Sequence, residues 1–258
     1  TEADRYFIRR MLQKRRLLFS STLGHTHTMR MSVKTPRIDS GEIEPPATPA
    51  RRFSPSELKA LREAIDKQLK LRLIEPVISP YCAQPMLIPK ATGGYRVVVD
   101  WRQLNKYTER DTYPLPNIDA SLASLGKAKL FTTCDLLMGF HQVELDATDG
   151  SIQKTAFWTP WGQFAYNRMP MGLTSSPGAF MRIVDAVLRG LPPGVAVPFV
   201  DDVLTATDGD MEAHMHDVGL VFDRLIAAWF RVRADKVHIG MKEVPFLPER
   251  SLQERVLK

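Results

Sequence analysis

The sequence predicts an α+β fold with a largely antiparallel sheet. Short runs of β-forming residues alternate with amphipathic helical patterns, but they do not form regular βαβ units. Turn signals separate neighbouring strand patterns, which favours hairpins. The 258 residues, 44% of them hydrophobic, suffice for a proper core, so disorder cannot dominate the chain.

Charge and cysteine content narrow the function classes. The net charge of +6 makes an anionic partner such as nucleic acid plausible, although many ordinary enzymes are equally basic. Cys82 and Cys134 form no CxxC motif, which argues against a disulfide framework or a zinc knuckle and favours a reducing intracellular compartment. No window approaches the ~18 uninterrupted apolar residues of a membrane span. Because the chain starts without Met and ends abruptly, we expect a segment of a longer protein.

Residues 1–52 are predicted to be a basic N-terminal arm followed by a Pro-rich linker. The linker contains the segment PPATPARR, which is typical of turns and connections. Basic residues crowd a helix-like opening stretch: Arg5, Arg9, Arg10, Lys14, Arg15 and Arg16. Two interpretations stay open for this stretch, a solvated arm and a phosphate-binding segment.

A strong helix signal and a hairpin signal follow. Ser54-Pro55-Ser56-Glu57 matches a capping box with proline at the first helical position. Apolar residues at helical spacing continue the pattern, and we expect the helix to stop before Pro76. The β-rich runs Pro85–Ile88 and Tyr95–Val99 flank Thr92-Gly93-Gly94 and predict a hairpin.

The second half alternates further helices and strands. Helices are predicted at Asn117–Leu125, about Pro177–Leu188 and about Met211–Phe230, and strands at Leu130–Cys134, Thr155–Trp158 and Gln163–Arg168. Two more strands flank Asp201 and Asp202.

The stretch FVDDVL places that acidic pair between apolar residues. Neighbouring side chains of a strand point to opposite faces, so a mid-strand pair would send one carboxylate into the core. With Asp201-Asp202 at the tip of a tight hairpin, both carboxylates can reach solvent. A two-residue turn prefers Asn-Gly, however, so turn chemistry alone does not explain the pair. A plain surface turn remains the alternative.

A third carboxylate, Asp135, ends the β-rich run Phe131–Leu136, which could lie beside the acidic hairpin. Three clustered carboxylates repel one another unless a cation is present. Mg²⁺ takes oxygen ligands, and two such ions can clamp the attacking and leaving oxygens of a phosphoryl displacement. The three residues therefore predict the metal chemistry of polymerases and many nucleases.

From about His27 to Leu247 the chain resembles the reverse transcriptase domain of gypsy-type LTR retrotransposons. Five motifs carry the resemblance in family order: SPYCAQPMLIPKATGGYRVVVDWRQLNKYT, YPLPNID, FTTCDLLMGFHQVEL, FAYNRMPMGLTSSPGAFMRIVDAVL and PFVDDVLTAT. The resemblance implies an RNA-directed DNA polymerase with right-hand fingers and palm, in which the largely antiparallel palm sheet packs on helices. The thumb is expected to be absent or truncated.

The resemblance also implies roles for residues of the palm. Asp135 and Asp201 match ligands of two Mg²⁺ ions, for which Mn²⁺ could substitute, and Asp202 supports the site. Phe140 matches the residue under the nucleotide sugar that selects dNTP over rNTP, although a bare phenylalanine is most often core. Leu136 falls beside these residues in the nucleotide-binding set.

Further residues are assigned to the incoming nucleotide. Lys90 and Arg96 match the groups that grip its triphosphate, and solvated surface charges are the alternative. Met171-Gly172 matches the turn that lines the base pocket, where Met171 could instead be core filler. Lys236 could be a general acid toward pyrophosphate or a surface salt-bridge partner.

The implied organisation is a fingers–palm unit at 53–248, with fingers at about 53–125 and 146–168 and palm at about 126–145 and 169–248. A divergent tail follows at 249–258. Implied partners are an RNA or DNA template with primer and a dNTP, but no membrane. Thumb, connection and RNase H domains of a parent polyprotein would lie elsewhere, and a cytoplasmic particle or the nucleus is the implied location.

Two other functions remain open. Pro248-Glu249-Arg250 stands where the family continues with Gly-His, which motivates a catalytically inactive remnant that acts at most as a nucleic-acid-binding module. A metal nuclease would explain the carboxylates but would leave Phe140, Lys90 and Arg96 without a role.

Overall fold

The computed structural model describes residues 1–91, 93–114, 125 and 127–244. Contacts divide the chain into two compact units. The first unit comprises Thr1–Thr28, Tyr113–Gln142 and Phe180–Lys258, and the second comprises Met29–Thr112 and Val143–Ala179. Of residues 1–52, residues 1–28 belong with the first unit and residues 29–52 with the second. The names fingers and palm stay a prediction.

A four-stranded antiparallel sheet forms the centre of the first unit. Its strands in spatial order are β11 (His238–Met241), β5 (Leu130–Asp135), β10 (Asp202–Thr207) and β9 (Ala196–Phe199). β9 and β10 form the predicted hairpin, whereas β5 and β11 come from distant parts of the chain. The antiparallel α+β class predicted from the sequence is confirmed for this unit.

Helices pack on this sheet. Among the residues that the structure describes, the α-helices of the first unit are α1 (Glu2–Lys14), the end of α6 (Ser176–Leu188) and α7 (Met211–Ala227). α7 packs against β5 and β10, and α1 packs against α7. The opening stretch, predicted to be helix-like, forms this helix α1, and the Thr1 side chain closes a capping box at its start.

The second unit contains the predicted helix and two hairpins. α3 (Pro55–Lys70) begins with the predicted capping box, in which Ser54 and Glu57 cap each other. The strands are the end of β1 (Thr26–Met31), β2 (Ile74–Pro76), β3 (Gln84–Pro89), β4 (Tyr95–Asp100), β6 (Val143–Leu145), β7 (Phe157–Thr159) and β8 (Gly162–Tyr166). Short helices are α2 (Pro36–Asp39), α4 (Arg102–Asn105) and α5 (Ser151–Lys154). β3 pairs with β4, and β7 pairs with β8, as predicted.

Some predicted boundaries were wrong or lie outside the described residues. α7 ends at Ala227 rather than at about Phe230, because Trp229 adopts φ +62, which a helix cannot continue. The short strand β2 was not predicted. Of the helix predicted at Asn117–Leu125 only Leu125 is described, and the tail at 249–258 lies outside the described residues.

None of the helices that the structure describes is both long enough and apolar enough to cross a bilayer.

Candidate active site

Two neighbouring strands of the first unit bring Asp135 and Asp202 together. β5 ends at Asp135, β10 begins at Asp202, and the two residues are direct partners in the antiparallel register. Directly opposite residues of an antiparallel pair place their side chains on the same face. The predicted side-by-side arrangement of these two strands is confirmed.

The acidic hairpin turns one residue earlier than predicted. Val200 and Asp201 form the turn, and Asp202 already pairs with Phe199 as a strand residue. Val200 adopts φ +51, a conformation that is unfavourable for a β-branched residue. Two contacts hold it: the Val200 N–H donates to Met181 Sδ at 3.1 Å, and the Asp201 carbonyl accepts from the Leu136 N–H at 2.7 Å. The prediction of an Asp-Asp turn was wrong because these tertiary contacts set the turn position.

Asp201 is a desolvated carboxylate beside two others. Its Oδ1 atom is buried and has no hydrogen-bond partner among the described residues. Burial, followed by the charges of Asp135 and Asp202, raises the Asp201 pKa to about 6, and Lys236 opposes this shift. Burial and the Asp135 charge also raise the pKa of Asp202. The cluster therefore carries negative charge in a setting that disfavours it.

Lys236 supplies a cation to this cluster. It ends a short 3-10 helix at Ala234–Lys236, and its Nζ donates to Asp135 Oδ2 at 2.8 Å. The structure therefore shows the salt bridge that the sequence left as one of two interpretations. The general-acid role stays a prediction.

Gly139 gives Asp201 the space that it occupies. A Cβ atom at position 139 would collide with Asp201 Oδ1, so the close approach requires glycine. Sequence reasoning missed this role, although a glycine four residues after a candidate ligand was a usable signal.

Phe140 is half-buried rather than core, and an aromatic stack supports it. Its ring centroid lies 5.0 Å from that of Phe180, which in turn lies 6.3 Å from that of Phe230. Both pairs are edge-to-face, the geometry that aromatic rings prefer. Leu136, by contrast, is 1% exposed, so its side chain is core and only its backbone contacts the acidic hairpin.

A buried polar network joins the strands that carry the carboxylates. His214 on α7 is fully buried, with Nε2 2.8 Å from Thr132 Oγ1 on β5 and Nδ1 2.9 Å from Thr207 Oγ1 on β10. Burial lowers the His214 pKa to about 4, against smaller opposing effects of the Asp217 charge and the Phe131 backbone. A neutral imidazole therefore ties both strands to the helix. The sequence analysis did not predict this network.

Four of the residues predicted to contact the nucleotide lie in the second unit: Lys90, Arg96, Met171 and Gly172. Lys90 and Arg96 are exposed on the β3–β4 hairpin, and an Arg96 guanidinium nitrogen lies 3.6 Å from Met171 Sδ. Met171 is 40% exposed, so the core-filler interpretation was wrong. Trp101 Nε1 donates to the Met171 carbonyl at 2.9 Å, and Gly172 adopts φ +91. The structure thus brings Arg96 and the Met171-Gly172 turn together within this unit.

The acidic cluster fits Mg²⁺ by donor chemistry. Asp135, Asp201 and Asp202 offer the carboxylate oxygens that Mg²⁺ prefers, and the unpartnered Asp201 Oδ1 provides an open donor. The positions of the side chains are a separate matter from their chemistry. In the described part of the chain, no group of three or more His, Cys, Asp or Glu side chains is placed so that it could hold a metal ion. Lys236, which binds Asp135 Oδ2, takes up one of the donor atoms.

Comparisons with known proteins agree with these features. The model of the family "Reverse transcriptase (RNA-dependent DNA polymerase)" matches residues 88–248. The chain is 40% identical over 188 residues to a retrovirus-related Pol polyprotein from transposon 297 of Drosophila melanogaster, covering 71% of this chain and 18% of that polyprotein. The corresponding polyprotein from transposon gypsy of the same species is 35% identical over 189 residues, with the same coverage. The chain thus spans about a fifth of the length of these relatives.

Solved structures of foamy viral proteins share the fold. A foamy viral protease-reverse transcriptase in complex with an RNA/DNA hybrid matches with a TM-score of 0.84 at 23% identity, covering 96% of this chain and 32% of that one. The native prototype foamy virus protease-reverse transcriptase matches with a TM-score of 0.82 at 26% identity, with the same coverage. These matches confirm the predicted polymerase fold. The chain belongs to the reverse transcriptase (RNA-dependent DNA polymerase) family, and its relatives include the Pol polyproteins of gypsy and other LTR retrotransposons.

Proposed function

We propose that the chain is the fingers–palm part of an RNA-directed DNA polymerase that transfers a nucleotide from a dNTP to a primer 3′-hydroxyl on an RNA or DNA template. One observation carries this proposal: in a chain of this family, Asp135 and Asp202 face each other across two strands beside Asp201. The first unit would be the palm and the second the fingers.

The three carboxylates would hold two Mg²⁺ ions, or Mn²⁺ in their place. When bound, these ions lower the pKa of the primer hydroxyl and neutralise charge on the leaving pyrophosphate. Support comes from the raised pKa values of Asp201 and Asp202, since a desolvated acidic cluster is stabilised by cationic charge. Asp135 would exchange its contact with Lys236 for a metal ion.

Phe140 would select the sugar of the incoming nucleotide. Its ring would pack under the ribose position, where an aromatic side chain clashes with a 2′-hydroxyl. Because Phe180 and Phe230 stack behind it, the ring cannot easily retreat to admit a ribonucleotide. Leu136 would not contact the nucleotide with its side chain. Its N–H would hold the acidic hairpin in place by donating to the Asp201 carbonyl.

Lys90 and Arg96 would bind the triphosphate. A guanidinium fork and an ammonium group suit phosphate oxygens and oppose the charge that builds up in the transition state. Arg96 is held near the Met171-Gly172 turn, which would line the base pocket. Lys236 would either protonate pyrophosphate or serve only to balance the charge of Asp135.

The remaining partners are proposed from the relatives. The template and primer would be an RNA/DNA hybrid or DNA duplex, and thumb, connection and RNase H domains would lie elsewhere in a parent polyprotein. A cytoplasmic particle or the nucleus would be the site of action.

Primer extension tests the proposal. The chain, joined to the following domains of its parent polyprotein, should extend a DNA primer on an RNA template with dNTPs and Mg²⁺. Asp201→Asn should abolish extension while the protein stays folded. Asp208→Asn is the matched control, because Asp208 lies on the surface and pairs only with Lys129 among the described residues. Primer–template binding without extension by the unaltered protein would overturn the polymerase proposal in favour of the inactive binding module.

A further inference from the structure

The outward face of α1 and of the turn that follows it is basic. Five exposed side chains form this basic face: Arg5, Arg9, Arg10, Lys14 and Arg16. Within the part of the chain that the structure describes, no carboxylate forms an ion pair with any of them. Their charges are therefore available to an external anion.

The orientation of α1 is fixed by contacts on its opposite side. Arg15 is the inward-facing basic residue, and its Nε donates to Asp223 Oδ1 at 2.8 Å and to the Gly219 carbonyl at 3.1 Å, both on α7. Met11 and Leu18 are buried on the same side. This docking holds the basic face toward solvent.

Without a bound anion, the charges of the basic face destabilise α1. Arg5 and Arg9, and likewise Arg10 and Lys14, are spaced i,i+4, where like charges repel. Folding and docking of α1 need none of these four charges, since capping by Thr1 and the contacts of Arg15 serve those purposes. A polyanion bound along the face would relieve the repulsion.

We propose that the basic face of α1 binds the phosphate backbone of single-stranded nucleic acid, as a contact surface separate from the acidic cluster. Its charges follow the helix over three turns, so several successive phosphates can be engaged. Tyr6 is 58% exposed, i,i+4 from Arg10, and offers a ring on which a base can stack. Positive charges that follow the nucleic-acid backbone, with an aromatic side chain among them, are the pattern of sequence-independent binding to single-stranded nucleic acid.

An anionic membrane surface fits less well. A helix that lies in a bilayer interface inserts its apolar face among the lipids. The apolar side of α1 already packs against α7, with Met11 4% exposed. Tyr6 and Leu17 are the large apolar side chains exposed on this part of the chain.

Binding of an unprimed oligo(U) RNA, measured without metal or dNTP across a salt series, tests the proposal independently of catalysis. The triple variant Arg5→Gln/Arg9→Gln/Arg10→Gln keeps good helix formers and removes three charges. Loss of three phosphate contacts should reduce the slope of log K against log salt by about 2 and weaken binding at least about tenfold at 0.15 M salt. Arg9→Gln alone should reduce the slope by about 0.7.

Two controls separate this face from a general charge effect. Lys59→Gln/Lys67→Gln/Lys70→Gln removes three exposed charges from α3 and should leave the slope unchanged. Arg5→Lys/Arg9→Lys/Arg10→Lys keeps the charges and should retain binding. Unchanged binding in both Gln variants of α1, or an equal loss in the α3 control, would overturn the proposal. The proposal would also be overturned if binding to vesicles with one-third phosphatidylserine depended on Arg5, Arg9 and Arg10 while RNA binding did not.

Discussion

His214 should make the folded state sensitive to mild acid. The imidazole is fully buried between Thr132 and Thr207, and its pKa falls to about 4 from a usual value of 6.5. At pH 7.5 and above it is almost entirely neutral in both folded and unfolded states and adds little pH dependence. As the pH falls from 6.5 to 4, the unfolded chain takes up the proton and the folded chain does not, so the unfolding free energy decreases.

The size of the effect follows from the two pKa values. Between pH 7.5 and pH 5 the loss of unfolding free energy due to His214 should be about 2 kcal/mol, and below pH 4 it should approach about 3 kcal/mol. Urea unfolding at several pH values measures this directly. His214→Gln should remove this part of the pH dependence whatever its own stability at pH 7.5.

His216 offers a matched control two residues along the same helix. Its side chain is 73% exposed, so His216→Gln should retain the pH dependence of the unaltered protein. If His214→Gln does not fold, the ring proton shifts of His214 in the unaltered protein give a second measurement, and they should show no titration between pH 7.5 and pH 5. Titration of His214 near pH 6.5, or parallel stability curves for the unaltered protein and a folded His214→Gln, would refute the reasoning.

Three further predictions concern the acidic cluster. Gly139→Ala should reduce primer extension more than tenfold, because the new Cβ displaces the Asp201 carboxylate. Extension kinetics measure the loss, thermal unfolding checks that the variant is folded, and wild-type kinetics would contradict the prediction. Asp201→Asn should raise the unfolding free energy at pH 7 by up to about 3 kcal/mol, because a carboxyl whose pKa is raised to about 6 destabilises the folded state once ionised; denaturant titration checks this, and a less stable variant would count against it. Lys236→Gln should change the unfolding free energy by less than about 1 kcal/mol, since Lys236 is half exposed. Loss of the basic limb of the pH profile of primer extension in this variant alone would assign the general-acid role to Lys236. An unchanged pH profile would show that Lys236 only balances the charge of Asp135.

Local signals predicted the elements that form from neighbouring residues. The capping box at Ser54 and the glycine turn between β3 and β4 each specify a structure within a few residues, and both were predicted correctly. Local signals do not determine the strand order of the central sheet, since β10 and β11 pair with β5 from far along the chain. The pairing of β5 with β10 was inferred only because an isolated carboxylate needed a partner.

The errors at the site have tertiary causes. The hairpin turn at Val200-Asp201 depends on Met181 and Leu136, which no pattern within FVDDVL could reveal. Gly139 is required by a carboxylate 62 residues later in the chain (201 − 139). The sequence analysis gave His214 no role, whereas in the structure its ring nitrogens lie within hydrogen-bond distance of hydroxyls on two strands.

Metal binding to the acidic cluster is the most direct test of the central claim. Titration of the folded protein with Mn²⁺, followed by water proton relaxation, should reveal tightly held ions in the unaltered protein. Asp135→Asn and Asp202→Asn should each weaken this binding at least tenfold, while Asp208→Asn should bind like the unaltered protein. Equal binding by all four proteins, or none by the unaltered protein at millimolar Mn²⁺, would contradict a shared metal site at Asp135, Asp201 and Asp202.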